Sequence, residues 1–241
     1  SELSDFVAVT AIIRPVSGRR SSGIPWLVIS ISLLLLMMML AYALLDDRSA
    51  AVWLDFWGVV PEELFPEQGG LRYSPSGIAG LFSALFVHAS WLHLIGNLAY
   101  LWVFGISVER QLGHWNFLFA YVLIGGLANA FMALQNAGLD QPIIGASGAI
   151  SAIIGIYLGS FPNGRIGLWI PLGLYLHFAR IPALLVIGSW FTLQLMYTVF
   201  GPDSNSVAWW AHISGFVAGL VSTLLFRLVL GGSRVNRRSS F

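Results

Sequence analysis

Six long, mostly apolar stretches dominate the chain: Ile24–Leu45, Trp91–Val108, Trp115–Gln135, Ser147–Phe161, Pro182–Phe200 and Val207–Leu230. About 20 mostly apolar residues suffice for a helix to cross a bilayer, so these stretches predict six transmembrane helices. The fourth is short, and its Gly-Ala-Ser-Gly start is expected below the bilayer surface. The first could be a secretory signal, with Arg19 and Arg20 before it and Ala41-Tyr42-Ala43 as a cleavage site. Its apolar run exceeds the roughly 7–15 residues of a signal core, which favours a retained span. Between spans, Asp46–Ala89 forms a long loop carrying Trp53, Phe56, Trp57, Leu64 and Phe65. Such aromatics suit a loop half-immersed at the interface. Asn163–Ile181 is apolar but broken by Pro171 and edged by Arg165 and Arg180, so it reads as an interfacial segment. Residues 1–23 and 231–241 read as tails around a 24–230 membrane domain, and no internal repeat is visible. The chain opens on Ser1, which reads as a processed, truncated or engineered start.

Composition turns this pattern into an exclusion. Of 241 residues, 57% are apolar and 10% charged, with mean hydropathy +0.78. A soluble domain carries about 25% charged residues, so this chain cannot cover a water-facing surface. Intrinsic disorder is excluded for the same reason. The expected fold is an all-α polytopic bundle, and the first expected partner is the lipid bilayer. Net charge is +1 and there is no Lys-rich run, which argues against nucleic acid. With no cysteine, disulfides, thiolate nucleophiles and Cys-based metal sites are out. No metal or cofactor is expected. All twelve basic residues are Arg, and their distribution orients the chain. A cytoplasmic N-terminus puts Arg14, Arg19, Arg20, Arg110, Arg165, Arg180, Arg227, Arg234, Arg237 and Arg238 inside. Only Arg48 and Arg72 stay outside, where most of the acids also fall.

Polar side chains inside spans are costly and suggest function. His93 and Asn97 lie on the second span, Ser147 opens the fourth, and His212 lies in the sixth. These three spans run from outside to inside, and each residue falls in about the first two turns. All four therefore share one layer just below the outer surface. Ser147, Ser151, Gly155 and Gly159 recur every four residues, as do Ala211, Gly215, Gly219 and Thr223. Small residues at that spacing let two helices approach closely, as Ser147 needs to reach His212. Packing stripes alone would also explain the spacing. Singly, each His could be bonding a carbonyl, Asn97 could be interhelical glue, and Ser147 could be a packing residue. His88 reads as structural, His114 and His177 as incidental.

Inside the spans no Asp or Glu lies near this layer, and Glu109 sits at the inner end of the second span. This disfavours a Ser–His–Asp triad and leaves a Ser147–His212 dyad as the available option. An oxyanion would need donors. Asn97 and His93 lie one helical turn apart and can face one point. The Ser147 N–H, at a helix start, is a third donor. Gly145 and Gly148 let the backbone crowd the site.

Gly145-Ala146-Ser147-Gly148, Ala211-His212-Ile213-Ser214-Gly215 and His93-Leu94-Ile95-Gly96-Asn97 resemble the signature motifs of rhomboid intramembrane serine proteases. Phe104-Gly105 through Glu109 and Gly113 resembles that family's end of the second span. The resemblance implies a six-helix core, no cofactor, and cleavage of single-pass membrane proteins near the outer interface. It assigns the nucleophile to Ser147, the base to His212, and oxyanion stabilisation to Asn97 and His93. It implies that His88 helps to hold the outer loop, and that Pro182–Phe200 is a lateral gate. Some rhomboids carry an aromatic residue one turn after the serine, stacked on the catalytic His. That position here is Ser151, so the orientation of His212 has to come from elsewhere. The outer-loop Trp-Arg pair of some members is also missing, with Leu71-Arg72-Tyr73 in its place. A catalytically inactive rhomboid-like binder and a small transporter are the competing readings.

Overall fold

A computed structural model describes residues 23–172, 175–200 and 206–235. The N-terminal tail lies outside the described residues except for its last position. The expected C-terminal tail at 231–241 is described only to Val235, which is still helical.

The helices are α1 (Trp26–Ala43), α2 (Asp47–Trp57), α3 (Pro75–Ser83), α4 (Trp91–Leu112), α5 (His114–Gln135) and α6 (Ser147–Ser160). A β-hairpin, β1 (Arg165–Leu172) and β2 (Tyr175–Pro182), follows. Helices α7 (Ala183–Phe200) and α8 (Ser206–Val235) complete the chain. All six expected spans are thus helices, within a few residues at each end. Helices α1, α4, α5 and α8 are long and apolar enough to cross a membrane, whereas α6 has 14 residues.

Lipid explains the outside of the bundle. On α1, Val28, Ile31, Leu35 and Met39 form a buried stripe, while Leu33, Leu36, Met37 and Leu40 are exposed. A helix apolar on its outer face as well as its inner one suits a bilayer, not water. Helix α6 is the axis of the bundle, with every residue except Leu158 buried. Its Gly, Ala and Ser positions keep it thin enough to be surrounded.

Two segments differ from the reading of the sequence. The loop at Asp46–Ala89 is largely helical, holding α2, a single turn at Pro61–Leu64, α3 and a 3-10 turn at Ala84–Phe86. Asp46 caps α2 by accepting from the Ser49 N–H, and Ser74 caps α3 by accepting from Gly77. Short capped helices satisfy their own backbone, which an irregular loop at an apolar interface could not. The Asn163–Ile181 segment is mostly an antiparallel hairpin, pairing Arg165 with Pro182 and Leu172 with Tyr175. Pro171 is tolerated because each strand of a two-stranded sheet keeps a free edge.

Helix α4 contains a π turn at Leu101–Gly105. Asn97 and Glu109 are twelve positions apart, which a regular α-helix would place about 120° from each other. A π turn absorbs one extra residue and reduces that angle to about 20°. Both side chains are accordingly buried.

Candidate active site

Ser147 is the first residue of α6, and the approach to it is strapped in place. Val59 and Ile143 exchange backbone hydrogen bonds, Val59 N–H to Ile143 at 2.9 Å and the return bond at 2.8 Å. The Gly145 N–H donates to the Ala84 carbonyl at 2.9 Å. The α2–α3 segment therefore fixes the backbone that presents the serine. Gly145 has φ +129°, a region an L residue enters only with strain.

His212 comes to Ser147 because α6 and α8 touch backbone to backbone. A methyl on Gly155 would sit 2.8 Å from the Leu220 nitrogen, and one on Gly219 2.8 Å from the Ala152 carbonyl carbon. Gly215 lies against the Gly148 carbonyl, where a methyl would fall inside van der Waals contact. Gly148 differs, since a methyl there would make only ordinary 3.5 Å contacts with Ala128 and Ala211. At residue 148 it is the carbonyl, approached by Gly215, that needs the room. The result is a His212 Nε2 to Ser147 Oγ distance of 2.7 Å. The serine hydroxyl can donate along that line to an unprotonated Nε2. Both residues are buried, and His212 Nδ1 has no hydrogen-bond partner among the described residues. Ser151 turns away, its hydroxyl donating to the Ser147 carbonyl at 2.6 Å.

His93 lies on the other side of Gly145. A methyl on that glycine would be 3.2 Å from His93 Nε2 and 3.7 Å from Ser147 Oγ. The Gly145 turn thus lies between the Ser147 hydroxyl and the His93 ring, and any side chain there would strike the imidazole. The Asn97 amide donates to His88 Nε2 at 2.7 Å, leaving its second N–H for another acceptor. His88 is fully buried, with its ring edge-on to His93 at 4.9 Å. Burial pushes the His88 imidazole down to about 3, and the nearby His93 charge adds to the effect. His88 is therefore neutral, and its Nε2 is free to accept.

The Rhomboid domain family model matches residues 75–228, which include all of these side chains. The chain belongs to the rhomboid family. It is 29% identical over 203 residues to Rhomboid protease GlpG of Salmonella paratyphi A, covering 83% of this chain and 62% of the relative. The proteins of the same name from Salmonella newport and Salmonella typhimurium are 28% identical over the same shares. The chain spans about three-fifths of the length of the curated relatives it matches.

In this rhomboid, Glu109 has a definite task at the opposite end of α4. Its carboxylate accepts from the Leu27 and Val28 N–H groups, each at 2.9 Å. Those are orphan donors at the start of α1, which has no side-chain cap of its own. The carboxylate also lies against His114 Nδ1. His114, incidental by sequence, thus belongs to the Glu109 cluster; its place five positions away was the available signal. For His177 only the backbone is described, within β2. A further residue went unread in the sequence: Trp190 of α7 packs on His212, with ring centroids 5.5 Å apart. Nothing in the spacing of α7 marks that tryptophan among its apolar neighbours.

Proposed function

We propose that this rhomboid is an intramembrane serine endopeptidase that cuts single-pass transmembrane proteins near the extracytoplasmic interface. The observation that carries the reading is the 2.7 Å approach of Ser147 Oγ to His212 Nε2. In this reading Ser147 Oγ attacks the scissile carbonyl carbon and its proton passes to His212 Nε2. The tetrahedral oxyanion is held by the Ser147 N–H at the start of α6, by His93 Nε2–H and by the spare Asn97 amide N–H. Collapse expels the amine, which takes the proton from His212 and leaves an acyl group on Ser147. Water, deprotonated by His212, then hydrolyses the ester.

His88 supports the cycle by fixing the Asn97 amide, and Glu109 by anchoring α1 to α4. Gly145 lets His93 lie close beside Ser147, and Gly215 and Gly219 supply the close approach of α8. The arginine distribution supports a multi-pass protein of the cell membrane, read as a bacterial inner membrane. Both termini are then cytoplasmic and the site opens outward. The deciding experiment compares wild type with Ser147→Ala on a model single-pass substrate in proteoliposomes. Cleavage is expected to vanish in the variant; cleavage at the wild-type rate would refute the assignment. Labelling of Ser147 by a fluorophosphonate distinguishes an enzyme from an inactive rhomboid-like binder, which would not react.

A further inference from the structure

We propose that Trp190 is the positioning residue for His212, so that the helix beside the site, α7, holds the general base in its working orientation. The inference rests on the dyad reading above.

A general base with one hydrogen bond is not fixed. His212 bonds Ser147 through Nε2 and has no partner at Nδ1 among the described residues. Among the described residues, no carboxylate orients the imidazole as one does in a three-residue arrangement. Ser151 offers neither a ring nor a hydroxyl, since its Oγ is committed to the Ser147 carbonyl. Rotation about the histidine's own side-chain bonds would carry Nε2 off the serine. Trp190 blocks that rotation. Its ring packs on the imidazole at 5.5 Å with a 54° tilt, within the range of favourable aromatic pairs.

The tryptophan is itself held. It is 4% exposed. Tyr100 of α4 packs on it at 5.8 Å, and the next residue, Phe191, at 4.8 Å. Phe191 in turn meets Phe216 edge-on at 4.9 Å. Phe216 lies one turn beyond His212 on α8, so α7 grips α8 with two adjacent rings on successive turns. The outward residues Leu184, Leu185 and Leu193 are exposed. Displacement of α7 away from α8 would thus release the base.

The test uses the full chain in detergent micelles, with Trp190→Leu, Trp190→Phe and Leu193→Ala. Two rates are read: fluorophosphonate labelling of Ser147, and steady-state cleavage resolved into kcat and KM. Trp190→Leu is expected to lose at least tenfold in labelling and in kcat with KM within twofold. Trp190→Phe, which keeps a ring, is expected within about threefold of wild type. Leu193→Ala, which trims an exposed side chain on the outward face of the same helix, is expected to label near the wild-type rate. If Trp190→Leu does not fold, Trp190→Met takes its place in the comparison. The proposal is overturned if the aliphatic variant labels like wild type, if Leu and Phe lose equally, or if only KM moves. Wild-type protein that neither labels at Ser147 nor needs it for cleavage would instead sink the dyad reading, and this proposal with it.

Discussion

Gly219→Ala tests whether the spacing of α6 and α8 sets catalysis. The added methyl would lie 2.8 Å from the Ala152 carbonyl carbon and 3.0 Å from its Cα. Non-bonded carbons rest at about 3.5–4.0 Å, so the helices must separate by at least about 0.7 Å. Neither side can yield by rotating a side chain, because the opposing atoms are backbone. Carried to the dyad, that shift takes the Ser147–His212 distance from 2.7 Å to about 3.4 Å, beyond the roughly 3.2 Å reach of a productive bond. A misplacement of 1 Å costs about a hundredfold, so kcat should fall about ten- to a hundredfold. Overpacking should also cost about 1–3 kcal/mol of stability. The assay is the initial rate of cleavage of a fluorogenic single-pass substrate, with thermal unfolding followed in the same detergent. Gly96→Ala is the control, since a methyl there meets nothing within 4 Å. A folded Gly219→Ala protein cleaving within twofold of wild type would show that the helix contact does not set the dyad.

Two further outcomes follow from the site. Gly145→Ala puts a methyl 2.8 Å from His93 Cε1 at φ +129°, adding about 1–3 kcal/mol of backbone strain and pushing the His93 ring away from Ser147. Cleavage should drop about a hundredfold or more, as when an oxyanion donor is lost, and should be measured beside Gly70→Ala, whose surroundings are open. The second concerns pH. His88 titrates near 3 in the folded protein against an ordinary 6.5, so the unfolded state binds more protons between those values. Stability linked to neutral His88 is complete above about 6.5 and is lost as pH falls toward 3, amounting to about 2 kcal/mol between pH 7 and pH 5. Wild type should therefore lose more thermal stability than His88→Gln over that interval; equal losses would count against a neutral buried His88.

Long apolar runs determine a membrane helix wherever they fall, because no other local structure satisfies a backbone in lipid. All six of these runs were therefore legible as helices, four of them long and apolar enough to cross a membrane, as were the small-residue stripes on α6 and α8 and the pairing of Ser147 with His212. The helices of the outer segment were less legible. Their formation depends on caps at Asp46 and Ser74 and on packing across the bundle, and the aromatics that mark an interface mark loops and helices alike. The hairpin at Arg165–Pro182 was hidden for a similar reason: Pro171 signals a break but not what replaces the helix.

Three features were decided only by tertiary structure. Glu109 and His114 gain their meaning from the unpaired N–H groups of α1, some 80 residues earlier in the chain. The His88–Asn97 bond forms because a turn outside α4 folds back onto it. Trp190 faces His212 because α7 lies beside α8 at one particular rotation. Hydrophobic periodicity reports that a residue is buried, not against whom. Which ring meets the imidazole is fixed by how helices pack, and that packing is a property of the whole bundle rather than of any stretch within it.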